Sequence, residues 1–430
     1  MYSGKGLKMQ LTKTDYSKEL LDKWINEEIT EAKITNLLTK YVRSYDVVIT
    51  NKTQRVHFEN YLRGLMSNLD RKSIEPIALS ITGEKGVRPL QQFVTRSTFS
   101  DETVLGKYQK MLGTTAASKN GMLSVDGSDF PKKGKYSAGV SRQYCGRVGK
   151  TENCQAGVFC AYAGENGYGL VDRDLYFPKS WFEDNYCDLR MKCDIPEDKT
   201  FRTKNEIALA MLQRAVESKL FDVKWVGCDA AFGCDHAFID ALPEGVWYFA
   251  GTNSNELVFL SMPEMTLPEQ PITGRRYKHK VPSIAPVQIK TIASDDSLPW
   301  QRVMLFNGSK GDVYADFKCL RCVSCRTATK FGNYVHPHTD IWLYMRRYEN
   351  NDVKYFLSNA PETIALAELH EAATLRWPIE QCFEECKSYL GMDHFEGRSY
   401  PGFLRHLLFV MIAHFFITSL RLELKKTVCQ

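Results

Sequence analysis

Apolar residues recur at three- and four-residue spacing through KELLDKWINEEITEAKITNLLTKYV and again through FENYLRGLMSNL. The stretch from about Asp15 to Lys110 is therefore expected to be helical, with Ser100-Asp101 capping the segment ETVLGKYQKML. After the small, polar run Thr114 to Asn120 the period changes: MLSVDGS, AGVFCAYAG and YGLVDRDLYF are apolar runs bounded by Gly or charged residues, as strands are. Lys204 to Ser218 (KNEIALAMLQRAVES) returns to an amphipathic helix, and VKWVGCDAAFG follows as a strand ending at Asp229, a β-α-β texture. Between about Gly251 and His338 the chain is Pro-rich and irregular, which reads as an insertion of short strands and loops. IWLYMRR and KYFLSNA are strand-like and lead into a helical C-terminal third. These textures divide the chain into an all-α N-terminal domain (1–115), the first part of an α/β core (116–250), a β-rich insertion (251–340), and the rest of the core with C-terminal helices (341–430).

Composition narrows this only slightly. The 430 residues are 43% hydrophobic and 25% charged, as in a globular protein with an ample core. A net charge of +5, from 56 basic and 51 acidic residues, allows a polyanionic partner without requiring one. MYSGKGLKMQLTKTDY has no apolar run after its lysines, so it is not a secretory signal. Leu407 to Leu420 (LLFVMIAHFFITSL) is shorter than the roughly 20 residues that span a bilayer and contains His414, so a buried helix is expected and no membrane segment. Thirteen cysteines, an odd number, fit reduced thiols in the cytoplasm better than a disulfide framework.

Three acids stand out as candidate chemistry. Asp126 and Asp229 each follow an apolar strand, MLSV and WVGC, and neighbouring strand ends place such residues on one sheet edge. Taken singly, either is more simply a turn residue. Pro378 starts a helix, so Glu380 in RWPIEQCFEECK lies in a first turn. At about 100° per residue Glu380, Glu384 and Lys387 share a sector beside the apolar stripe of Ile379, Phe383, Cys386 and Leu390. An ordinary surface Glu-Lys helix has the same periodicity. Lys132, Lys133, Lys135, Arg142 and Arg147 follow Asp126 closely and suit phosphate binding, as do Arg275, Arg276, Lys278 and Lys280 in the insertion; a solvated turn or loop is the alternative in both places. Cys319, Cys322 and Cys325 (C-x2-C-x2-C) lack an evident fourth ligand beyond His336 and His338, and read as incidental thiols rather than a zinc site.

Arg376, Glu380 and Lys387 reproduce R-x3-E-x6-K, which resembles the Y-x2-R-x3-E-x6-K signature of one group of bacterial insertion-sequence DDE transposases. VDGSDFPKKGKYSAGVSRQYCGRVGKTENCQAGVF, WVGCDAAFG, YFLSNAP and RWPIEQCFEECKSYLGMDHFEGRSY also look like that family's blocks, in the family's order, from roughly Asn60 to His414. The resemblance implies an RNase H-like (retroviral-integrase-like) α/β catalytic core whose triad is Asp126, Asp229 and Glu380, holding two Mg²⁺ or Mn²⁺ ions. Asp129 is the rival for the first position. It further implies DNA contacts by Lys132, Lys133, Arg142, Arg376 and Lys387, and a stacking tryptophan from the insertion, for which Trp300 and Trp342 are candidates by location. The signature's tyrosine falls at Ala373, a departure. The implied function is metal-dependent cleavage at the element's ends followed by 3′-OH strand transfer, by a homodimer on double-stranded DNA (terminal inverted repeats and target), cytoplasmic and associated with the nucleoid when bound. The alternatives are a non-catalytic DNA-binding derivative and a metal-dependent nuclease without strand transfer. The helical N-terminal region is assigned to end recognition by position.

Overall fold

The computed structural model describes residues 31–270, 272–273, 277, 279–308, 311–328 and 334–428. Arg275, Arg276 and Lys278 lie outside the described residues. By its contacts the described chain divides into two compact units, one of 31–223 with 377–428 and the other of 224–376.

The first unit opens with five helices: α1 (Glu31–Arg43), α2 (Lys52–Leu65), α3 (Ile74–Ile81), α4 (Val87–Arg96) and α5 (Asp101–Ala116). Two of their starts, those of α2 and α5, follow from side-chain caps. Asn51 Oδ1 accepts from the amides of Thr53 and Gln54 at 2.9 and 3.2 Å, and Ser100 Oγ accepts from Thr103 at 3.2 Å. Each such cap stabilises its helix by about 1 kcal/mol. An antiparallel sheet follows: β1 (Met122–Pro131), β2 (Ser141–Cys145), β3 (Lys150–Gly164) and β4 (Gly167–Tyr176), with β3 pairing the other three. β3 and β4 are buried over most of their length, which explains why they read as nearly continuous apolar runs instead of alternating ones. α6 (Lys204–Glu217) begins at a reciprocal capping box between Thr203 and Glu206 and packs on β3 and β4.

The second unit begins with β5 (Trp225–Cys228), then the short helix α7 (Ala230–Gly233), and β6 (Trp247–Thr252) parallel to β5. Close approach is built into this turn. A Cβ on Gly233 would stand 2.0 Å from the Gly251 carbonyl oxygen, so only glycine lets α7 rest against β6. β7 (Leu257–Phe259), β8 (Gln301–Gly308), β9 (Gly311–Ala328), β10 (Tyr334–Arg347) and β11 (Val353–Ser358) complete a mixed sheet ordered β7-β9-β10-β11-β6-β5, with β8 also on β9. α8 (Leu366–Leu375) closes the unit. The region expected to be short strands and loops thus contains an 18-residue and a 14-residue strand in one antiparallel pair. Cations hid that pattern: Lys318 is only 2% exposed, yet its ammonium donates to the carbonyls of Ala293 and Asp295 at 2.9 and 2.7 Å and lies over the Trp300 ring.

The chain then returns to the first unit with α9 (Pro378–Leu390) and α10 (Tyr400–Val428). α10 is the spine of that unit. Phe409 packs against Phe58, Tyr61 and, stacked at 5.5 Å, Phe93; Phe415 meets Tyr108 edge-on; and the Tyr61 hydroxyl lies 2.9 Å from His406 Nδ1. Arg405 is tied to Asp101 at 2.8 Å and to the Val94 carbonyl at 2.9 Å. The N-terminal helices therefore share a core with α10, so the domain boundary expected at residue 115 is not a boundary between compact units. Tyr400–Leu422 is long and apolar enough to cross a membrane by composition, but 78% of its most apolar window is buried within the protein, as the expected buried helix requires.

Candidate active site

Asp126 lies on β1, half-buried, after four fully buried positions from Met122 to Val125. Its carboxylate accepts from the Gly127 amide at 2.6 Å. Its cross-strand partner is Phe159, whose side chain stands on the same sheet face. That face is covered by α9: the Phe159 ring meets Phe383 edge-on at 5.2 Å, and the Lys387 ammonium lies 5.8 Å from the Phe130 ring centroid. Phe383 thus touches the cross-strand partner of Asp126, and Lys387 the ring of Phe130. Glu380 is one helical turn ahead of Phe383, half-buried, in the first turn that begins at Pro378. A carboxylate there also suits the positive end of the helix dipole.

The rival acid has another task. Asp129, on the opposite face of β1, accepts from the Gly146 amide at 2.6 Å and so fixes the turn after β2. Lys387 is displaced below its ordinary pKa chiefly by burial, with Arg147 adding to the effect and Asp393 and Asp129 opposing it.

Asp229 ends β5 in the second unit and caps α7, its Oδ1 accepting from Ala231 and Phe232 at 2.9 and 3.4 Å. The strand before it is fully buried, so the backbone at Asp229 is rigidly placed. Arg376 caps α8, with its guanidinium carbon 6.0 Å from the Phe356 ring centroid. Ala373 is buried on α8, so the phenol of the signature has no counterpart there. Among the described residues no group of three or more His, Cys, Asp and Glu side chains is assembled to hold a metal ion. The donor chemistry nevertheless fits one: three carboxylates are hard oxygen ligands of the kind Mg²⁺ takes.

The basic residues after Asp126 separate into two kinds. Lys132 turns inward, donates to the Phe395 carbonyl at 2.5 Å and is pushed down by burial to about 8. Lys133, Lys135 and Arg142 are exposed, and Arg147 is exposed and paired with Asp393. Trp300 and Trp342 are both half-buried: Trp300 lies under Lys318 and Arg347 against the core of the second unit, and Trp342 donates to the Pro361 carbonyl at 3.1 Å. The aromatic ring that sequence reasoning passed over is Trp377, 52% exposed and three residues ahead of Glu380; its place beside Pro378 in RWPIE was the available signal. Cys322 belongs to one apolar cluster and Cys325 to another, and burial pushes the Cys319, Cys322 and Cys325 thiols up to about 12, so they stay protonated.

Comparison with known proteins agrees on a class. The profile of the DDE superfamily endonucleases matches residues 45–312, which take in Asp126 and Asp229, while Glu380 lies beyond them. The probable transposase for insertion sequence element IS701 of Microchaete diplosiphon is 29% identical over 202 residues, 45% of this chain and 48% of that protein. The chain thus spans about half the length of this curated relative. Among solved structures, the NurA nuclease from Sulfolobus solfataricus aligns over 76% of this chain and 92% of its own, at 9% identity and a TM-score of 0.25, too loose an overlap to carry a fold assignment. Since the family profile takes in more than half of the 430 residues, this chain belongs to the DDE superfamily endonucleases.

Proposed function

We propose that this protein is the transposase of an insertion sequence, cutting DNA at the element's ends and joining the freed 3′-OH to a target strand. Asp126, Asp229 and Glu380 form its triad, on an RNase H-like core. The observation that carries the reading is the packing of α9, the helix that bears Glu380, on the Asp126 face of β1. The order of elements supports it too: antiparallel strands with the first Asp, a crossover helix, a strand ending at the second Asp beside a parallel neighbour, and later a helix bearing the Glu.

The triad would hold two Mg²⁺ or Mn²⁺ ions, which when bound lower the pKa of an attacking water or 3′-OH and stabilise the leaving oxygen. The chain's own residues do the rest. Asp229 is held at its backbone by the buried β5 and the close β6 contact, so its carboxylate is presented with little freedom. Lys133 and Arg142 take DNA phosphates on the exposed rim, Arg376 and Lys387 take those nearer the scissile bond, and Lys132 stiffens the turn from behind. The N-terminal helices read the terminal repeats, and two copies act together on double-stranded DNA in the cytoplasm.

The test is incubation of DNA flanking the coding sequence with Mg²⁺ or Mn²⁺, comparing wild type with Asp229→Ala and Glu380→Gln. Cleavage by wild type that both variants lose while still binding DNA is the expected result. Normal cleavage by Glu380→Gln removes that residue from the triad. Joining of the cut end to a second DNA distinguishes a transposase from a nuclease, and binding without cleavage by wild type marks a non-catalytic DNA-binding protein.

A further inference from the structure

The first unit contains a cavity of about 860 Å³ whose lining includes none of the three acids. It is bounded by the turn from Pro131 to Ser137, by Arg71 and Arg147, and by the segment from Asp393 to Arg398. A volume of this size lies in the ~300–1,000 Å³ range of small-molecule sites. Five cations line it against two carboxylates. Both carboxylates already face cations: Glu396 pairs with Arg71, and Asp393 through one of its two oxygens with Arg147. Lys132 is occupied by the Phe395 carbonyl. That leaves Lys133 and Arg398, both exposed and neither in an ion pair among the described residues, as the charges an incoming anion would meet.

Beside them is an aromatic ring in water. Tyr136 is 61% exposed, and the Arg398 guanidinium lies over it, 5.6 Å from the ring centroid. An exposed ring costs hydration free energy unless something covers it, and a guanidinium plane on a phenol makes a surface on which a base stacks. Duplex DNA offers phosphates to such a rim but no base face. Single-stranded DNA offers both, and paired cations and rings are how proteins hold it without reading its sequence.

We propose that this cavity binds an unpaired DNA segment, with a phosphate against Lys133 and Arg398 and a base stacked on the Tyr136–Arg398 pair. The inference rests on the reading that DNA is the substrate, and gives the protein a strand-holding site whose lining includes none of the three acids. Lys132 and the two internal ion pairs hold the walls, so the site is preformed before the strand arrives.

Fluorescence anisotropy of the full chain in EDTA, with a short labelled single strand and a duplex of equal length, tests this apart from catalysis. Tyr136→Ala is expected to weaken single-strand binding roughly tenfold, leave duplex binding within about twofold, and be rescued by Tyr136→Phe. Lys133→Ala combined with Arg398→Ala is expected to lower the salt slope of single-strand binding by roughly 1. Unchanged single-strand affinity in Tyr136→Ala, or equal loss for strand and duplex, overturns the site while leaving the transposase reading intact. Wild type that binds neither DNA overturns both.

Discussion

At the scale of single residues, one large electrostatic perturbation belongs to Glu385 on α9. Burial alone would raise the Glu385 carboxyl, but hydrogen bonds and charge from His414 at 2.7 Å and Arg421 at 2.8 Å outweigh it and hold the acid at about 2. A folded pKa below the unfolded value means that the stabilisation is fully present above about 4.5 and disappears as pH falls toward 2. The shift corresponds to about 3 kcal/mol. Thermal melts of wild type and Glu385→Gln are expected to differ most at neutral pH and to converge as pH falls through that window; a constant difference would contradict the account. Residues were also where the sequence was most informative about the site. The local settings of Asp126, Asp229 and Glu380, after buried strand positions or in a helix's first turn, were legible because they are fixed by local backbone chemistry. What Asp129 does was not, since the amide it holds belongs to Gly146, seventeen residues on.

At the scale of elements, legibility followed burial. β1 and α6 could be located because their periods and caps are local properties, and Ser100 was readable as a cap because its acceptor serves its own helix. β9 was not readable as a long strand, because the ammonium of Lys318 is satisfied by the carbonyls of Ala293 and Asp295, far away in sequence. The turn that places Asp229 depends on an equally distant pair, Gly233 and Gly251. Gly233→Ala must move α7 off β6, and is expected to destabilise the protein by about 1–3 kcal/mol in urea unfolding. On the proposed function it should reduce DNA cleavage by more than it reduces DNA binding, since it displaces Asp229 and touches no basic residue. A variant as stable as wild type would mean that the contact is not tight.

At the scale of the whole molecule, the helical N-terminal segment looked independent because its own period and polarity are complete. Periodicity reports that a helix has an apolar face, never which distant element covers it. Here that element is α10, whose Phe409 and Phe415 fill the space between α2, α4 and α5. A chain beginning at residue 116 is accordingly expected to be insoluble or to lack a cooperative melt, and calorimetry of the 116–430 fragment would decide it. A sharp transition at the wild-type temperature would restore a separate N-terminal domain.

The same shared core orders events during synthesis. Helices α1 to α5 are made before the aromatic residues of α10 that close over them. Until α10 is made, a seam including Phe58, Tyr61 and Phe93 has no native cover, so a polypeptide cut short before α10 by a frameshift or early stop has no buried state to reach and becomes a substrate for chaperones and proteases.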